Sequence, residues 1–90
     1  MTLFVCANVV YAVNLVFSQG TFSSQVKDSH GTILAISGLT KGKWTAARLQ
    51  AEGQEITMSV DLQTMKADVD FRAFGNAVKA RGLQCTWAGN

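Results

Sequence analysis

No proline occurs anywhere in this chain, and cysteine, histidine and charge are all scarce. Without proline, neither a cis-proline turn nor a polyproline segment enters the fold. The two cysteines, Cys6 and Cys85, are too few to make a disulfide framework in a chain of 90 residues, so reduced, partly buried thiols are expected. The single histidine, His30, has only Asp28 near it in sequence, which is a poor beginning for a metal site. Charged residues make up 16% of the chain, against about 25% in an average domain. Hydrophobic residues make up 48%. A domain this small buries little, so an apolar excess invites a covering partner, a homodimer first of all. The net charge of +2 is mild for a dedicated nucleic-acid binder. No repeat, linker or low-complexity run divides the chain, and one domain over residues 1–90 is expected.

Charge is also absent from the first 26 residues, the first charged side chain being Lys27. The stretch LFVCANVVYAVNLVF, residues 3–17, has apolar residues at every odd position and its polar residues only at even ones. That is a period of two, which signals a strand. A signal peptide would begin with a cationic segment, and a membrane span needs about 20 apolar residues. A cytoplasmic protein that keeps Met1 or Thr2, with no membrane association, is therefore expected. One strand of this length would reach about 50 Å, so it must bulge, with Ala7-Asn8 the candidate place, or pair with another subunit.

Beyond it, Ser18-Gln19-Gly20 reads as a turn, 21–27 as a polar strand, Asp28-Ser29-His30-Gly31 as a second turn and 32–38 as a third strand. GLTKGK is a glycine-rich basic loop, and 44–52 reads as a short helix stopped by Gly53. QEITMSVDL alternates with Ile56, Met58, Val60 and Leu62 inward. A second helix is expected from about Asp68, with Phe71, Phe74 and Val78 on one face and Gly82 at its end. Residues 83–87 complete the chain as a strand. The predicted class is α+β, in the order β-β-β-α-β-α-β. That order is similar in topology to ribonuclease H-like domains. Their two-metal chemistry needs a carboxylate on the first strand, and residues 1–27 hold neither Asp nor Glu, which excludes the catalytic version.

The motifs point the same way. SGLTKGKWT falls short of a phosphate loop, because Gly38 and Gly42 are too close and Trp44 stands where a hydroxyl should hold magnesium. No G-x-S-x-G elbow is present. Cys6 in an apolar strand is an inert thiol. Neither an enzyme nor a cofactor or metal protein is expected. The candidate binding residues are Lys41, Lys43, Trp44 and Arg48, an aromatic among cations. The leading expectation is a small non-enzymatic module, dimeric, that regulates or inhibits a partner protein by occupying its surface, as small proteins of bacteria and their mobile elements often do. The alternative is a nucleic-acid accessory protein, in which loop 41–48 stacks on bases while its cations hold phosphates.

Overall fold

The computed structural model describes residues 1–88 as a closed barrel of antiparallel strands, each paired with the next and the last with the first. The strands are β1 (Thr2–Ala7), β2 (Tyr11–Ser18), β3 (Thr21–Asp28), β4 (Ile33–Trp44), β5 (Arg48–Gly53), β6 (Ile56–Asp61), β7 (Lys66–Ala73) and β8 (Asn76–Trp87). Among the described residues there is no helix. The expected α+β class is thus corrected to all-β, and the topological likeness to ribonuclease H-like domains lapses with the helices.

The long opening run is not one strand but a hairpin. Asn8 reverses it: its Oδ1 accepts the backbone N–H groups of Val10 and Tyr11 at 2.8 and 2.7 Å. The inward parity switches across this turn, from Phe4 and Cys6 in β1 to Val13 and Leu15 in β2. A closed barrel pairs every strand, so the idea of a first strand reaching into another subunit also falls.

Both expected helices are strands for the same reason. Leu49 and Ala51 alternate into the core from β5, and Ala67, Val69, Phe71 and Ala73 do so from β7, with polar or charged neighbours between them outside. Short isolated helices are marginal in water, and burial of a period-two face outweighs their weak local preference. Thr45, at the start of the first expected helix, instead builds a turn, its Oγ1 accepting from the N–H groups of Ala47 and Arg48. Gly82 does not end a helix. It holds φ +65° at a bulge in β8, where its N–H donates to Asp68 Oδ1 at 3.2 Å.

Polar side chains set most of the reversals. Asp28 accepts from the N–H groups of His30 and Thr32, and Asp61 accepts from those of Gln63 and Thr64. These N–H groups, Gln63 first, hold the Asp61 carboxyl below the usual carboxylate range, with a smaller pull from the Arg48 charge. Gln19-Gly20 and Phe74-Gly75 are two-residue turns with positive φ at both positions. Phe74 is 82% exposed and holds φ 53°, where a bulky side chain gains nothing and strains the backbone. Phe74→Asn should therefore raise stability by about 1 kcal/mol, measured as a higher urea midpoint at unchanged slope.

The seam between β1 and β8 carries a covalent bond. Phe4 faces Trp87 and Cys6 faces Cys85 across it, and the two cysteines are joined as a disulfide with S–S 2.08 Å. The expectation of free thiols is corrected here. The reason is register: residues 79 apart in sequence become directly opposed once the first and last strands close the barrel.

Candidate functional site

One end of the barrel, where β2, β4 and β8 finish, gathers aromatic rings. Phe4 lies fully buried there, with its ring centroid 4.2 Å from that of Trp87 and 6.3 Å from that of Trp44. Trp44 and Trp87 come from opposite sides of the barrel and stack over the mouth, with centroids 6.5 Å apart and planes within 19°. They are 49% and 59% exposed. Phe17 and Phe22 pair across the β2–β3 hairpin at 4.7 Å and continue the rim.

A bulge brings Trp44 to this position. In the β4–β5 ladder Leu39 faces Gly53 and Lys41 faces Glu52, so Thr40 is an extra residue on β4. One extra residue exchanges the faces of everything after it. Beyond Thr40 the inward positions are Gly42, opposite buried Ala51, and Trp44, opposite buried Leu49. Lys41 and Lys43 are turned to the outer wall, opposite Glu52 and Gln50.

The sequence-predicted set is thereby divided. Lys41, Lys43 and Arg48 lie on the outer wall, and Trp44 crosses the mouth. Arg48 donates to Ser59 Oγ at 2.7 Å and lies opposite Asp61 in the ladder. The chain over 41–48 is not the expected loop but the end of one strand, a turn and the start of the next. Trp87, Phe4 and the Phe17–Phe22 pair escaped the sequence reading, because only the closing β1–β8 pairing brings the chain's two ends together.

Beside Trp44 a cavity of about 280 Å³ opens into the barrel, walled by Leu15, Phe22, Leu39, Leu49 and Ala51. Gly42 leaves part of this wall without a side chain, and the backbone around Thr40, Lys41 and Lys43 completes it. Leu15, Leu49 and Ala51 are core residues, so the cavity reaches inside the mouth and is not a groove on the outer wall.

No protein-family model, curated protein or solved structure matches this chain. Four of the six carboxylates have structural partners: Asp28 and Asp61 hold turns, Asp68 holds the Gly82 bulge, and Asp70 pairs with Arg81 at 2.7 Å. Among the described residues no group of three His, Cys, Asp or Glu side chains could hold a metal ion. His30 lies in the β3–β4 turn, at the opposite end from the tryptophans.

Proposed function

We propose that the protein is a non-enzymatic binding module that works through the aromatic end of its barrel by occupying the surface of a protein partner. The observation that carries this reading is the half-exposed Trp44–Trp87 stack, backed by buried Phe4. Large rings held in place by a buried neighbour are the kind of side chain that dominates binding energy at interface centres. Carboxylates engaged in turns and cysteines engaged in a bridge support a non-catalytic role.

Several finer points follow from the same geometry. A homodimer would have to meet face to face, because no strand edge is open. In β6 and β7 the apolar face points inward and the polar and charged one outward, the reverse of a lipid-facing strand, which favours work away from the bilayer core. Among the described residues no helix is long and apolar enough to cross a membrane. A disulfide favours an oxidising compartment over the cytoplasm that the sequence suggested. The nucleic-acid alternative is weaker in this geometry, since Trp44 and the cations face different ways.

Co-purification with mass spectrometry tests the proposal. Trp44→Ala should weaken partner capture by roughly thirty-fold, the loss of an anchor worth about 2 kcal/mol, while leaving the barrel folded. Capture that is indifferent to Trp44, or that nuclease treatment abolishes, would overturn it. In the nuclease-sensitive case affinity would instead fall steeply with salt and depend on Lys41 and Lys43. Sedimentation of the purified chain reads the dimer separately.

A further inference from the structure

The geometry points to a small-molecule site within the aromatic end, taking a flat, largely apolar molecule of one or two rings that carries a negative charge. This rests on reading that end as the binding surface and names what enters it. Three observations combine. The cavity is real space, about 280 Å³, just under the ~300–1,000 Å³ of sites for drug-sized ligands, which limits the occupant to something smaller. Its inward-facing side chains are hydrocarbon and aromatic, Trp44 among them, and Thr40, Lys41 and Lys43 border it. Trp44 belongs both to this wall and to the stack with Trp87, whereas Trp87 and Phe4 do not line the cavity. The indole is thus a partition, held flat by Trp87 at 19° on one side and open to a second ring on the other.

The charge follows from the rim. Lys41 and Lys43 border the cavity from a strand segment whose register turns their side chains to the outer face, and among the described residues no Asp or Glu lines it. An aromatic cage for a cation would place carboxylates there and keep lysines away. The carboxylate closest in register, Glu52, lies opposite Lys41 on that same outer face and offsets its charge, whereas Lys43 lies opposite the neutral Gln50. With no carboxylate in the lining and Lys43 unopposed just outside it, a cationic ligand is disfavoured and an anionic group at the mouth meets a net positive potential. Gly42 is what keeps the space open. It faces inward opposite Ala51, its φ is not in the left-handed region, and an added Cβ would meet only the Gln50 carbonyl oxygen, at 3.4 Å. A larger residue is thus tolerated by the strand yet projects into the cavity.

The test uses the two tryptophans as reporters, since the chain has no others. Their indole N–H resonances are followed by NMR during titration with 2-naphthoate, with neutral 2-naphthol and with cationic N-methylquinolinium. The expected result is a saturable shift with 2-naphthoate, larger at Trp44 than at Trp87. Gly42→Val should weaken this binding by roughly ten-fold or more, and Trp44→Ala by a similar factor read at Trp87, with Trp44→Phe recovering most of it. The Lys41→Gln, Lys43→Gln double variant should weaken 2-naphthoate by roughly three- to ten-fold and leave 2-naphthol unchanged. Absence of a saturable shift with 2-naphthoate would overturn the inference. So would undiminished binding in a folded Gly42→Val chain, or N-methylquinolinium binding as tightly as the anion. Partner capture that needs Trp44 without any 2-naphthoate binding would sink this ligand and spare the wider reading. Ligand binding with Trp44-independent capture would do the reverse.

Discussion

Replacing Gly53 by alanine is expected to cost about 3 kcal/mol or more, enough to leave much of the chain unfolded at ambient temperature. Gly53 faces Leu39 in the β4–β5 ladder, beside the Thr40 bulge. A Cβ there would overlap the Gly38 carbonyl oxygen and Ser37 Oγ. Neither neighbour can yield. The carbonyl is backbone, and Ser37 Oγ is committed, donating to Gly38 O at 2.9 Å and accepting from the Glu55 N–H at 3.3 Å. A domain of this size holds only about 5–13 kcal/mol in total, so the loss is a large share of it. Gly38→Ala is the matched control: its Cβ would meet nothing within 4 Å, and its effect should stay within about 0.5 kcal/mol. Urea midpoints of the two variants give the comparison. Equal midpoints would mean that β4 and β5 are not packed as described.

Loss of the Cys6–Cys85 bond should have the largest effect on the chain as a whole. The bond closes a loop of 79 residues, and the chain-entropy account gives about 4.5 kcal/mol for a loop of that length. It also fastens the β1–β8 seam, through which the barrel closes. Reductant, or the Cys6→Ala, Cys85→Ala double variant, should lower the melting temperature by roughly 20–30 °C. Where the barrel remains folded, binding at the aromatic end should persist, because neither cysteine lines the cavity. Two titratable thiols in the native protein, with no response of melting to reductant, would contradict this.

Much of the strand content was legible where one face is buried and the alternation is clean. The stretches 21–27 and 54–62 read as strands, and Ile56, Met58 and Val60 do lie in the core. The turns at Ser18-Gln19-Gly20 and Asp28–Gly31 were legible for the same local reason, since Gly and Asp are needed there. The helices misled because their signals are shared. Asp68 and Gly82 can cap a helix at its two ends, and here the same pair fixes a bulge. Ala7-Asn8 reads as a bulge in one strand, but the Asn8 side chain can equally fold two strands together. At the site, Trp44 stood out among cations, but which way it faces depends on one unpaired residue, Thr40, that no periodicity announces. Its partner Trp87 comes from the other end of the chain, and only ring closure of the sheet brings the two together.

Trp44 turns inward at the barrel mouth and stacks beside Trp87, with its neighbouring lysines on the opposite face. Proton–proton Overhauser contacts of the two indoles test it most directly. The account predicts contacts from Trp44 to Trp87, to Phe4 and to Leu49. Contacts from the Trp44 ring to the side chains of Gln50 and Glu52 on the outer wall, with none to Trp87, would contradict it.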